Sequence, residues 1–288
     1  MTNAGWAYKP NGEIPQGYSL PDGILRFAMK VEYDGSNYSG WQRQQHSPSV
    51  QETLEACLSK VADEPIGVVC AGRTDAGVHA SSQIVHFDSE ANRAEHNWML
   101  GCNGVLPADI KVCWVKSVPG QFHARFSALS RSYRYIIYNK TYSPAILSKS
   151  LTWWRKPLDS DKMNEAVRLL LGEHDFSSFR AARCAANSPV RMLRSASVIR
   201  VNDFVILEIT ANAFLQQMVR NIVGVLLQIG SSDLPATHIA ELLALKDRTK
   251  SAPTAPPNGL YLVDVEYASE FCLPEAIRGP SFLEFVSQ

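Results

Sequence analysis

This chain of 288 residues lacks any apolar run near the roughly 20 residues that span a bilayer, so no membrane role is expected. Residues 1–22 lack a basic segment followed by an apolar core. That composition excludes a signal peptide and predicts a flexible tail. Cysteine is sparse and unpatterned: the six residues at 57, 70, 102, 113, 184 and 272 form no CxxC pair and no zinc-finger spacing with histidine. They predict no metal site and a reduced, cytoplasmic setting. The motifs HExxH, GxSxG and GK[ST] are missing too, which removes the commonest metalloprotease, serine-hydrolase and P-loop readings.

Acidic residues are missing from two long segments. Between Ile110 and Leu158 there are nine Lys or Arg and no Asp or Glu; between Phe176 and Asn202 there are five Arg and no acid. The net charge is zero, so the remainder of the chain is strongly acidic. Such asymmetry predicts a positive face suited to a polyanion, unless folding scatters the charges.

What is present reads as an α+β protein. Leu25, Phe27, Met29, Val31 and Tyr33 are apolar at every second position, the pattern of a half-buried strand, and Asp34-Gly35 ends it. Ser49 and Glu52 have capping-box spacing before Val50, Leu54, Cys57, Leu58 and Val61, which predicts a helix. Strands are expected at 66–70, 83–87, 111–118, 133–138, 190–201, 204–210 and 260–266. Helices are expected at 95–101, 159–171, 217–228 and 237–245. The order of elements before residue 120 roughly recurs after it. Two similar α+β halves, 23–121 and 122–288, are therefore expected to share one larger sheet.

Three residues attract chemical interest. Asp75 lies in AGRTDAGVH, a small-residue loop between two predicted strands; a turn Asp bonded to its own backbone is the plainer account of that tripeptide alone. Arg220 interrupts the apolar helix of FLQQMVRNIVGVLLQIG, where a guanidinium needs a partner. It either pairs structurally with some acid or holds a catalytic carboxylate in its charged form. Tyr133 sits in SRSYRYIIY, with Tyr135 and Ile137 on its face and Arg134, Ile136 and Tyr138 on the other. Aromatic and basic residues interleaved this way suit a nucleic-acid surface, but an ordinary core strand is the plainer account of the pattern alone.

Long motifs then give a resemblance. VEYDGSNYSGWQRQ (31–44), SVQETLE (49–55), AGRTDAGVHA (71–80), FHARFSA (122–128), YRYIIYN (133–139), DFSSFRA (175–181), NAFLQQMVRNIVG (212–224) and GLYLV (259–263) occur in the order seen in the bacterial tRNA pseudouridine synthase A family, which the chain resembles from about Leu25 to Phe282. The resemblance implies the pseudouridine synthase fold: two similar halves sharing a mixed, mainly antiparallel sheet with flanking helices and a cleft between them. It implies an isomerase acting on uridines 38, 39 and 40 of the tRNA anticodon stem and loop, a homodimer, and no metal or organic cofactor. By the same resemblance Asp75 is the nucleophile, Tyr133 packs against the target base, and Arg73 helps flip the nucleotide. Arg220 pairs with Asp75. Arg93, the run Phe122, His123, Ala124, Arg125 and Phe126, and the run Arg183, Cys184, Ala185, Ala186 and Asn187 fall where the family contacts tRNA. The chain departs from the family at Gln216 and Gln217, where histidine is common, and over 184–193.

Two other readings stand beside this one. A tRNA-binding module without chemistry would not require the carboxylate of Asp75, and a hydrolase would require a second acid or a metal site that no motif supplies.

Overall fold

The computed structural model describes residues 19–275 and 278–286. The tail expected over residues 1–22 falls largely on residues 1–18, which lie outside the described residues.

Strand β1 (Leu25–Tyr33) leads through a turn in which the Asp34 carboxylate accepts from the Ser36 amide. Helix α1 (Val50–Ala62) is capped as its sequence predicts, with Ser49 Oγ accepting the Glu52 amide at 3.3 Å. Its Leu54 and Leu58 are fully buried. Strands β2 (Val69–Cys70) and β3 (His79–Ser89), helix α2 (Glu95–Val105) and strand β4 (Ile110–Val118) follow. The second half contains β5 (Ala128–Asn139), β6 (Thr152–Trp154), α3 (Ser160–Arg168), β7 (Gly172–Asp175), β8 (Val190–Val201), β9 (Phe204–Ala211), α4 (Met218–Gly230), α5 (His238–Leu245) and β10 (Leu260–Tyr267).

All ten described strands form one sheet in the order β4-β1-β3-β10-β5-β9-β8-β7, with β2 beside β3 and β6 beside β5. The expected recurrence is visible in its wiring. β1 lies between antiparallel β3 and β4, as β5 lies between antiparallel β9 and β10; β2 pairs antiparallel with β3, as β8 does with β9. The sequence β1-α1-β2-β3-α2-β4 is thus repeated as β5-α3-β8-β9-α4-β10, with β6, β7 and α5 inserted.

The halves meet over a short parallel contact, Tyr261 with His79 and Leu262 with Ala80. Further along, the same edge of β3 pairs with β2, at Val69–His86 and Cys70–Val85. The edge is therefore forked. Gln83, fully buried, bridges the fork: its amide nitrogen donates to the Gly72 carbonyl at 2.6 Å and its carbonyl accepts the Gly72 amide at 3.3 Å.

Three sequence expectations change. β1 is buried on both faces from Arg26 to Val31, not on one, and its second face begins at the 120–122 backbone. There Arg26 donates to the carbonyls of Gly120 and Phe122 and forms a two-point ion pair with Asp88. β2 is only two residues long. The preceding amides of Ile66 and Val68 are taken by Ser59 Oγ and Glu55 Oε1, so side chains replace the strand ladder there. β3 starts at His79, four residues before the expected 83, through small and polar residues that carry no alternating signal.

Candidate active site

The 71–78 loop leaves the sheet at the fork and lies on the DGSNYSGW segment. The Thr74 carbonyl accepts the Trp41 amide at 3.0 Å, and the Thr74 hydroxyl bonds the buried Tyr33 hydroxyl at 2.8 Å. The Asp75 carbonyl accepts the Val78 amide, closing the turn. Two glycines of the segment permit this contact. A Cβ on Gly35 would overlap the Val78 carbonyl, and one on Gly40, whose φ is +99°, would stand 2.8 Å from the Thr74 carbonyl oxygen.

Asp75 and Arg220 meet across the joint between the halves. Arg220 Nη1 lies 3.2 Å from Asp75 Oδ2. Arg220 Nε donates to the Ala255 carbonyl at 2.8 Å, and the Ala255 amide donates back to the Arg220 carbonyl, which fixes the guanidinium at the start of α4. Gly224 lets the 252–255 chain approach, since a Cβ there would overlap the Pro253 carbonyl. The Asp75 side chain keeps 28% of its exposure against 13% for Arg220, so the carboxylate is the member of the pair that opens to solvent. It opens into a cleft of about 760 Å³.

Tyr133 forms a wall of that cleft and is 8% exposed. Phe214 packs edge-on against it, with centroids 5.0 Å apart at 84°. Burial raises the Tyr133 phenol well above its ordinary range; Arg131 opposes the shift and the charge of Asp75 adds to it. The ring is a neutral surface whose position suits packing against a flat base.

Of the other residues expected from resemblance, Arg73 is exposed beside Asp75, and Arg125, Arg183, Ala185 and Ala186 line the same cleft. Phe122 and Ala124 are fully buried and His123 is 5% exposed. These three side chains belong to the core and shape the segment from inside. His123 Nδ1 accepts the amides of both Arg125 and Phe126, each at 3.1 Å, and so turns the Arg125 side of the segment outward. Those bonds require an unprotonated Nδ1, and burial lowers the His123 pKa to about 4. Phe126 is 43% exposed. Cys184 Sγ is taken up locally, accepting the Gln216 amide, and Asn187 is exposed. Arg93 follows the far end of β3, about 35 Å from the Asp75 loop along the strand at about 3.3 Å per residue.

The fourteen bases of the acid-free segments do not form one open face. Arg134, Lys140 and Arg194 pair with Glu208, Asp203 and Glu266. Arg131, Arg180, Arg191 and Arg200 donate to backbone carbonyls. Arg125 and Arg183 stand in the cleft with no carboxylate partner among the described residues. Sequence reasoning missed Phe214, Gln83 and Arg131 at this site. Their roles depend on partners more than ten residues away in the chain, and only the placement of polar Gln83 in a buried strand carried a local signal.

A family model described as tRNA pseudouridine synthase matches residues 29–127 and 166–268. The chain is 53% identical over 265 residues to a tRNA pseudouridine synthase A of Cronobacter sakazakii, covering 92% of this chain and 98% of that one. It is 54% identical over 259 residues to those of Yersinia pestis and a Shewanella species, covering 90% of this chain and 98% and 99% of theirs. None of the described helices is long and apolar enough to cross a membrane.

Proposed function

The chain belongs to the tRNA pseudouridine synthase family, and on that premise we propose that it isomerises uridines 38, 39 and 40 of the tRNA anticodon stem and loop with Asp75 as its nucleophile. We propose further that it works as a cytoplasmic homodimer, a reading that rests on the family resemblance. The observation that carries the assignment of the site is the Asp75–Arg220 pair, 3.2 Å apart in a cleft walled by Tyr133.

Uridine is joined to ribose through N1 and pseudouridine through C5. The reaction breaks one glycosidic bond, turns the base and forms a C–C bond, with no atom gained or lost. A carboxylate serves this by adding to C1′ of the sugar, by adding to C6 of the base, or by removing a sugar proton to give a glycal. All three routes need the Asp75 carboxylate shielded from bulk water, and Arg220 stands 3.2 Å from it as its counter-charge. A stacked uridine is out of reach of the loop, so it must be extruded, at a cost of about a few kcal/mol. Arg73, exposed two residues from Asp75, fills the vacated stack in this reading. Tyr133 receives the base, and Arg125 and Arg183 meet phosphates.

The test is pseudouridine formation on unmodified tRNA by wild type and Asp75→Asn. The variant should bind tRNA and melt like wild type, yet form no pseudouridine. Sustained turnover by Asp75→Asn would overturn the assignment.

A further inference from the structure

Arg131 is the residue this reading leaves unused. It is 9% exposed, it borders the cleft, and among the described residues it meets no carboxylate. Instead its two terminal nitrogens donate to four carbonyls, three of them outside its own strand. Nη2 donates to Ala71 at 3.0 Å and to Arg125 at 2.6 Å. Nη1 donates to Asn212 at 3.0 Å and to Ala128 at 3.1 Å.

The identity of those segments matters. Ala71 opens the loop that carries Asp75. Arg125 belongs to the segment proposed to meet RNA phosphates. Asn212 lies two residues before Phe214, which packs on Tyr133. One rigid planar fork therefore ties the nucleophile, the phosphate contact and the wall of the base pocket to a single strand, β5. A guanidinium suits this task because its donors have fixed directions. Lysine carries the same charge on one nitrogen, and one nitrogen cannot occupy both ends of the fork.

We propose that Arg131 is a positioning residue that couples RNA contact at Arg125 to the placement of Asp75, so that part of the energy of phosphate binding is expressed in the chemical step. Binding energy from groups remote from the reacting atoms accelerates chemistry only when it is transmitted to their geometry. The Arg125 carbonyl and the Ala71 carbonyl share one nitrogen of Arg131, so a shift of the 125 segment moves the base of the Asp75 loop. The proposal rests on the assignment of Asp75 and its cleft given above.

The experiment uses the full-length protein and an unmodified tRNA, with three readouts: tRNA affinity, single-turnover rate at saturating tRNA, and the amplitude of that turnover. Arg131→Lys is expected to leave affinity within about threefold and the amplitude full, while the rate falls by about ten- to a hundredfold. A merely structural role would instead lower the amplitude, as fewer molecules fold, and leave the rate constant unchanged; that result overturns the proposal, as does a wild-type rate. If Arg131→Lys does not fold, the exposed-side variant Arg125→Ala decides the matter. Coupling requires it to slow the saturated single-turnover step as well as weaken binding. Weakened binding with an unchanged saturated rate overturns the proposal. Absence of pseudouridine from the wild-type reaction would instead remove the underlying assignment, which keeps the two failures distinct.

Discussion

Gly40 offers a direct test of whether the DGSNYSGW segment positions the catalytic loop. Its φ of +99° and the 2.8 Å from an added Cβ to the Thr74 carbonyl oxygen make two separate demands on any replacement. The backbone conformation alone costs alanine about 1–2 kcal/mol. The contact adds to this, because the atoms it meets are backbone of Thr74, Asp75 and Ala76 and cannot rotate away. A total near 2 kcal/mol, in a protein of this size, lowers Tm by about 3 °C. The relief open to the structure is to push the 74–76 backbone outward, which carries Asp75 away from Arg220. A displacement approaching 1 Å costs about a hundredfold in rate. Gly40→Ala should therefore melt lower and react about ten- to a hundredfold more slowly in single turnover, with tRNA affinity little changed. Gly104→Ala is the control. Gly104 is exposed in α2 and an added Cβ there meets nothing within 4 Å. Alanine should stabilise that helix by about 0.5–1 kcal/mol and leave the rate alone. Circular-dichroism melts and quenched single-turnover assays on the three proteins settle the point. A wild-type rate in Gly40→Ala would show that the segment supports the loop without setting the position of its carboxylate.

Other perturbations reach other parts of the site. Arg220→Leu removes the counter-charge of Asp75 and the donor to the Ala255 carbonyl; single-turnover rate should fall about a hundredfold while tRNA still binds, and a rate within twofold of wild type would refute the pairing as a catalytic device. Alanine at Arg125 or Arg183 should each reduce the slope of log affinity against log salt by about 0.7–0.9, the value for one phosphate; an unchanged slope means that side chain does not reach the backbone. His123 has a folded pKa of about 4, below the ordinary histidine value of about 6.5, so folding favours its neutral form. Its contribution is complete above about pH 6.5 and is lost as pH falls toward 4. Urea unfolding should therefore show stability dropping from pH 7 to 4.5, and His123→Asn, which retains a side-chain acceptor, should show a smaller drop; an equal drop in both assigns the titration elsewhere.

The legible parts of the fold were those fixed by local chemistry. The β1 alternation, the Ser49 cap and the apolar run of α4 each declare an element within a few residues. Arg220 stood out because a guanidinium in an apolar helix calls for a partner, whereas the local pattern of Asp75 read more plainly as a turn residue and only the resemblance singled it out. Features set at long range were not legible. Nothing near Arg26 in sequence announces the carbonyls of Gly120 and Phe122 that let it be buried. The run FHARF, which the resemblance assigns to tRNA contact, turns its first three residues inward, and the rings of Phe122 and His123 pack on His86. Part of the excess of positive charge between residues 110 and 202 is taken up inside the fold: Arg134, Lys140 and Arg194 meet acids distant in sequence, whereas Arg180 and Arg191 donate to carbonyls within six residues.

The repeat explains why the chemistry arises once, although the scaffold occurs twice. In the second half the strands equivalent to β2 and β3 are β8 and β9, which stay paired from Leu193–Ala211 to Val201–Phe204 and close through the two-residue turn Asn202-Asp203. In the first half β10 occupies the start of the β3 edge, at His79 and Ala80. β2 is left only the far part of that edge, at Val85 and His86, and the chain between them has no ladder to join. It becomes the 71–78 loop, held by Gln83 at its root and by Thr74 at its crest, and it faces the helix that β10 brings with it. Joining the two sheets thus releases the loop and delivers Arg220 to it in one step. The carboxylate on the Asn202-Asp203 turn, Asp203, has no freed loop to carry it and pairs instead with Lys140 at the surface, 3.1 Å away, so the repeated scaffold does not repeat the loop.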